Sequence, residues 1–237
     1  MRHLNIATVL NDSILFNDLE DDFKTELVGL FEILHLKKSE IIFSKDLLNW
    51  VYIIIDGRIK ESRINRKTGQ EYILYLHRSG DLLDIVSIVD NKLPEVVFEC
   101  VNESMLLRVE METFKNWLQK NINFAQNFLL YTVRKFEKIK NNASDLALYD
   151  THTRLAKLIL ENIDELDPME ENKYKVTLIN DLSNDVIASM IGSARAVVSR
   201  NIQELKLKKI IEIPSRKEKS VIGLESLKEC CDKEILE

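Results

Sequence analysis

The sequence predicts an α+β chain in three parts. An antiparallel β sandwich or barrel comes first, a long helix follows, and a pair of short helices with a β-hairpin closes the chain. Three observations carry this. Between residues 35 and 109 the apolar residues fall in short runs rich in Ile, Val, Leu and Tyr, separated by Asp56-Gly57, Lys67-Thr68-Gly69 and Ser79-Gly80-Asp81. From Glu112 to about Tyr149 the period becomes helical. From Leu182 to Glu212 two short amphipathic stretches meet at Gly192.

Residues 1 to about 32 are expected to be helical, with Leu19, Phe23, Leu27, Leu30 and Phe31 as an apolar stripe. The β runs are HLKKSEIIF, WVYIIIDGRIKESRI, QEYILYLHRSGDLLDI and PEVVFECVNESMLLRV. Three of the chain's six glycines, Gly57, Gly69 and Gly80, sit at their turns. In the long helix Ala125, Leu129, Thr132, Phe136, Ile139, Ala143 and Leu146 recur at alternating spacings of four and three, the pattern of a coiled-coil seam. Phe124, Phe128 and Tyr131 form a second apolar face. One face can serve the β domain and the other a partner helix, so a dimer is expected.

Asp150 breaks the run and can cap a helix over Thr151 to Ile163. DELDPMEENKYK reads as a loop and KVTLI as a short strand. Ser183 or Asn184 can cap the next helix, on which Val186, Ile187, Met190 and Ile191 are apolar. Gly192 suits a tight turn, and Ser193 can cap a second helix with Val197, Val198, Ile202 and Leu205 inward and Arg195, Ser199 and Arg200 outward. That is a helix-turn-helix pattern. Ile210 to Ile213 and Val221-Ile222 flank a turn and form a hairpin, a wing, and a short helix follows from Glu225. The expected domains are 1–115, a β domain; 116–149, a dimerisation helix; and 150–237, a winged helix-turn-helix.

At 237 residues two domains are expected, and the net charge of −6 argues at first against a nucleic-acid partner. The distribution reverses this. From Arg195 to Lys219 there are eight basic residues against Glu204, Glu212 and Glu218. A locally basic face is what phosphate neutralisation requires. No apolar run reaches the roughly 18 residues of a membrane span. The N-terminus lacks the apolar core of a signal peptide. Cys100, Cys230 and Cys231 are no disulfide framework. A reducing cytoplasm is the expected compartment. Cys230-Cys231 read as incidental residues on an amphipathic tail rather than a thiol sensor. No Gly-rich phosphate loop, metal-spaced cluster or nucleophile elbow is present, so an enzyme is not expected.

This order of parts resembles the CRP/FNR superfamily of bacterial transcription regulators over nearly the whole chain. The residues that carry the likeness are the turn glycines of the β domain, the segment Leu146-Ala147, Asp150 and Arg154-Leu155-Ala156, and IGSARAVVSR with its basic wing. The resemblance implies a β-roll of the double-stranded β-helix or jelly-roll type, a homodimer, double-stranded palindromic DNA and RNA polymerase as partners, and an effector in the roll. It implies that the helix from Ser193 enters the major groove. Arg195 and Arg200 would then reach guanine O6 and N7, and Ser199 a base edge or phosphate. Ser199-Arg200 looks like the Ser-Arg pair of the FNR branch. Ser183 matches a phosphate contact at a helix N-terminus. Lys206, Lys208, Lys209, Arg216 and Lys217 are phosphate candidates. Leu129, Phe136, Ile139 and Ala143 are the expected dimer interface. One departure is Ala196, where many members have a Glu that accepts from cytosine N4; a methyl cannot. Asp185 faces the phosphates unfavourably.

Cyclic-nucleotide members hold the phosphate with Gly-Glu and Arg-Ser pairs, for which this chain has Asp84-Ile85 and Pro94-Glu95. Two acids would repel a phosphodiester, and Ile139-Lys140 replaces the purine-reading Thr-Ser pair, so cyclic AMP is not expected. An iron–sulfur cluster needs about four cysteines, which this chain lacks. A haem-based gas or redox sensor is the alternative. The Cys and His of the family's carbon monoxide sensor match Asp84 and Val86 here, which leaves His77, His3 or His35 as haem ligands.

Overall fold

The computed structural model describes residues 6–164, 173–215 and 218–231. It divides into two compact units: Met1–Gly69 with Leu74–Lys140, and Gln70–Ile73 with Asn141–Glu237.

The region expected to be helical is so in three pieces: α1 (Ile6–Asp12), a 3-10 turn (Ile14–Phe16) and α2 (Asp21–Leu30). The break has a physical cause. Ser13 donates its hydroxyl to the carbonyl of Gly80 at 2.9 Å, and Leu15, Phe16 and Leu19 drop into the core between the two helices.

Seven strands follow: β1 (Glu32–Leu36), β2 (Ile41–Ile42), β3 (Trp50–Asp56), β4 (Ile59–Ile64), β5 (Glu71–His77), β6 (Val97–Cys100) and β7 (Ser104–Glu110). They form two sheets, in the orders β1-β7-β3 and β2-β6-β4-β5. The register of β3 on β7 is antiparallel, with Val51 opposite Val109 and Ile53 opposite Leu107. Val51 to Ile55 are all buried, which is why β3 reads as a continuous apolar run rather than an alternation. Gly57 turns this strand back at φ 93°, and a Cβ there would lie 2.7 Å from the carbonyl of Glu103. The run through Ile85 does not stay extended. It ends in a short helix, α3 (Ile85–Asp90), entered through Asp84 at φ 48°.

The expected single long helix is two: α4 (Met111–Lys120) and α5 (Ile122–Leu148). Asn121 separates them in an extended conformation, and its side chain accepts from the backbone N–H of Phe124 at 2.9 Å, starting a new helix. The inner face of α5 joins an aromatic cluster. Phe124 meets Phe16, Phe23, Phe114 and Trp117 at centroid distances of 5.3 to 6.3 Å. Edge-on packing of this kind adds roughly 0.5–1.5 kcal/mol per pair beyond area burial. It fixes the N-terminal helices and α5 on one side of the β1-β7-β3 sheet's core.

The second unit holds α6 (Thr151–Leu160), β8 (Tyr174–Lys175), α7 (Asn184–Met190), α8 (Arg195–Leu207), β9 (Ile211–Ser215), β10 (Glu218–Val221) and α9 (Leu224–Cys231). Asp150 caps α6 by accepting from Thr153 N–H at 2.8 Å. The helix ends at Leu160, short of the expected Ile163, which instead bridges to Val176. The three short strands make one antiparallel sheet in the order β8-β10-β9. Among the described residues no helix is long and apolar enough to cross a membrane.

Candidate nucleic-acid interface

Helices α7 and α8 form the motif read from the sequence. Ser183 is the N-cap of α7 and accepts from Val186 N–H at 3.4 Å. Ile187, Ala188 and Ile191 of the first stretch, with Val198, Ile202 and Leu205 of the second, are buried. Between them Gly192 sits at φ 61°. It is this backbone conformation that favours glycine; a Cβ there would meet only the movable end of the Leu146 side chain, at 2.7 Å. Arg154 braces the same turn. Its Nε donates to the carbonyl of Ile191 at 2.9 Å and its Nη1 to that of Tyr149 at 2.7 Å.

Ser193 is not the cap of α8. That position is Ala194, which has no side-chain cap, and the Ser193 hydroxyl donates instead to Thr151 Oγ1 at 3.5 Å. The turn through Gly192 places Ser193 one residue too early to reach the free amides of the helix. The N-terminal N–H groups of α8 therefore have no side chain competing for an anion.

The outer face carries Arg195, Ala196 and Arg200, all exposed. Arg195 lies 3.5 Å from the carboxylate of Asp185, whereas Arg200 makes no ion pair among the described residues. Ser199 is only partly exposed, and its hydroxyl accepts from the side-chain amide of Asn184 at 2.9 Å. Asn184 was read from the sequence only as a rival cap; its bond across to α8 has no local sequence signal. Buried Asn201 lies on the inner face of α8 and was not singled out either.

The basic run is less uniform than its count. Lys208 pairs with Glu204 at 2.7 Å. Lys219, counted with the wing, is buried, and its ammonium donates to the carbonyls of Ile179, Asn180 and Leu182. It is a structural strut and faces no solvent phosphate. Arg216 and Lys217 lie outside the described residues.

Residues 153–230 match the family model of the Crp-like helix-turn-helix domain. The chain is 24% identical over 154 residues to a CRP-like cAMP-activated global transcriptional regulator of Mycobacterium tuberculosis, covering 65% of this chain and 67% of that one. It is 24% identical over 184 residues to the global nitrogen regulator of a Nostoc species, covering 76% and 81%. In structure it resembles a CooA mutant from Carboxydothermus hydrogenoformans, with a TM-score of 0.75 at 18% identity over 96% of both chains. It also resembles FixK2 from Bradyrhizobium japonicum, with a TM-score of 0.70 at 14% identity over 84% and 96%. Residues 153–230 are thus a Crp-like helix-turn-helix domain, and the chain as a whole is similar to transcription regulators of the CRP/FNR superfamily. Its helix-turn-helix regulators bind DNA and are dimers.

Within this CRP/FNR fold, the positions that take cyclic nucleotides elsewhere differ from the sequence reading in one respect. Asp84 is inside, 6% exposed and hydrogen-bonded to the Ser87 hydroxyl, and burial raises its pKa. Glu95 is outside, with its side chain 88% exposed beside Arg63. One buried acid, not two, occupies the place expected for the phosphate.

The haem alternative does not fit His77. His77 is fully buried and both ring nitrogens are engaged. Nε2 lies 2.9 Å from Glu61, and Nδ1 lies 3.3 Å from the ammonium of Lys135. Since Lys135 can only donate, Nδ1 is the acceptor and Nε2 carries the proton toward Glu61. Ligation through Nδ1 would take an acceptor from the buried Lys135 ammonium, and ligation through Nε2 would take the donor from Glu61. His35 lies exposed on β1, and His3 falls outside the described residues. The Cys100 thiol is buried, and burial pushes its pKa up to about 11, the range of an inert core thiol.

Proposed function

We propose that this chain is a cytoplasmic, non-enzymatic regulator that binds a palindromic promoter site as a homodimer, with its roll as the sensing part. The observation that carries this reading is the outer face of α8. Exposed Ala196 and Arg200 lie on the side away from buried Val198, Ile202 and Leu205, and Arg195 is exposed in the first turn of the helix. On this reading residues 1–115 sense, 116–149 dimerise and 150–237 bind DNA. Residues Arg195 and Arg200 read guanine edges. Ser199 stays within reach of a base or phosphate, and Ser183, Ser193, Arg216 and Lys217 hold the backbone.

The dimer reading is supported by the outer face of α5. Leu129, Phe136 and Ile139 are 63%, 64% and 39% exposed, and Ala143 is exposed in the same row. Phe124, Phe128 and Tyr131 are buried on the other side. An apolar row of this kind on a monomer is an unfinished interface. Two-fold pairing of the row sets the two recognition helices, which need a separation of roughly 34 Å to enter successive major grooves. RNA polymerase is then the partner of the bound dimer.

The test is a gel shift with the promoter region of the chain's own gene. Wild type forms a discrete complex that resists non-specific competitor. Arg200→Ala weakens that complex by about tenfold to a hundredfold, the loss of one base contact, while non-specific binding changes little. Equal binding by the variant removes Arg200 from the readout, and no complex at all removes the reading.

A further inference from the structure

Between the end of α1, the Arg78–Asp81 turn and α5 lies a cleft of about 570 Å³. None of Asp84, Ile85, Pro94, Glu95, Ile139 or Lys140, the positions that match the cyclic-nucleotide contacts, lines it. Its walls carry an uneven set of charges. Asp81 is already used: it accepts from the Arg78 backbone N–H at 2.8 Å and from the Tyr131 hydroxyl at 3.4 Å. Lys135 is 6% exposed and is used as well, bound to His77 and to the Leu82 carbonyl. The guanidinium groups of Arg78 and Arg134 are exposed and make no ion pair among the described residues. Against these two cations stands Asp12, at the end of α1. The remaining lining includes Val9, Ile14 and two aromatic rings, that of Tyr75 4.8 Å from the Lys135 ammonium and that of Tyr131 5.8 Å from it.

We propose that this cleft is the binding site of a small organic anion with a flat apolar body. Arg78 and Arg134 take the carboxylate or phosphate group, the geometry for which a guanidinium fork is suited. Tyr75 and Tyr131 take the ring or chain. The volume lies within the range of sites for metabolite-sized ligands. Hydroxyls of Ser13 and Ser79 donate to the carbonyls of Gly80 and Ile55, at 2.9 and 2.7 Å, and keep their lone pairs free as acceptors for a donor on the ligand.

The site deepens the reading of the roll as a sensing part and rests on it. Arg134 and Lys135 lie between Val133 and Phe136, which are 45% and 64% exposed on the outer row of α5. A ligand that draws Arg134 toward Arg78 therefore acts on the same helical turn that meets a second copy.

Isothermal titration of the full chain in the absence of DNA tests this, with phenyl phosphate and inorganic phosphate as probes. Phenyl phosphate is expected to bind saturably at one site per chain, and inorganic phosphate about tenfold more weakly. In the Arg78→Gln/Arg134→Gln variant phenyl phosphate binding falls by about a hundredfold, one factor of ten per charged contact. Both arginines are exposed, so the thermal midpoint of the variant stays that of the wild type. Equal binding by the variant overturns the proposal, as does equal affinity for the two probes or the absence of saturation. Because no DNA is present, a failed gel shift leaves this result standing, and a failed titration leaves the regulator reading standing.

Discussion

Arg195 and Asp185 form an ion pair across the two helices of the helix-turn-helix, Nη1 to Oδ2 at 3.5 Å, with both side chains more than half exposed. The pair does two things at once. It holds the first arginine of α8 toward α7, and, on the proposed reading, it puts a carboxylate on the face that meets phosphates. An exposed pair of this kind adds little to stability, about 0–1 kcal/mol. Asp185→Asn is therefore expected to leave the thermal midpoint within a few degrees of the wild type. It should tighten DNA binding several-fold and steepen the salt dependence by about one unit of log–log slope per recognition helix. Fluorescence anisotropy across a potassium chloride series measures both, and an unchanged slope refutes the competition.

Ala196 presents a methyl group on the exposed face of α8. A methyl can meet a thymine methyl but cannot accept from cytosine N4. Selection from a randomised duplex pool should return half-sites without a cytosine requirement at the base that this position faces. Ala196→Glu should restore that requirement, with about 1–3 kcal/mol of discrimination. Identical selected sites for the two proteins would show that position 196 reads no base.

Phe136 is 64% exposed on the single chain while Phe128, two turns earlier, is 9% exposed. Replacing Phe136 by Ala should therefore spare the fold and strike the dimer. Burial of a Phe side chain contributes roughly 1.5–3 kcal/mol, and a two-fold interface loses it twice. The dimer dissociation constant should rise by at least about a hundredfold. Sedimentation velocity over a dilution series reads this directly, and a variant as dimeric as the wild type would rule out the row.

His77 carries a pH dependence. Burial first, and the Lys135 ammonium second, hold its pKa below the usual imidazole range. The folded ring therefore stays neutral while the unfolded ring takes up a proton as pH falls through about 6.5. The stability it contributes is complete above that pH and is lost progressively below it. Burial alone would raise the Glu61 carboxyl, but its hydrogen bond with His77 and the nearby Lys135 charge bring it below the usual range, so its own loss begins only in more acid solution. His77→Gln should flatten the fall in urea midpoint between pH 7.5 and 5.5. Parallel curves for the two proteins would assign the dependence elsewhere.

Much of this could be read from local pattern, because local pattern is what turns and caps obey. Asp150 and Ser183 cap the helices they were expected to cap, and Gly57 and Gly192 adopt the positive φ that their turns require. What failed was continuity. The first thirty residues and the segment from Glu112 both kept a helical period, yet Ser13 and Asn121 interrupt them. In each case a single polar side chain found a partner that periodicity does not encode: Gly80, distant in sequence, for Ser13, and the next helix's free amide for Asn121. The helix-turn-helix was legible in its residue types but not in its pairings. Nothing near Arg195 announces Asp185 as its partner, and nothing near Ser199 announces Asn184, because both bonds cross between helices. Lys219 was misplaced for the same reason: a lysine in a hairpin reads as solvated until the loop that surrounds it is known.

That lysine bears on how the second unit behaves in different surroundings. Its ammonium gathers the carbonyl dipoles of Ile179, Asn180 and Leu182, the task that a bound potassium or calcium ion performs in other loops. Here the cation is covalently attached and cannot be diluted, exchanged or chelated. The shape of this loop thereby draws on no free cation from the medium, whereas any contact of the exposed arginines of α8 with phosphate is subject to screening by salt.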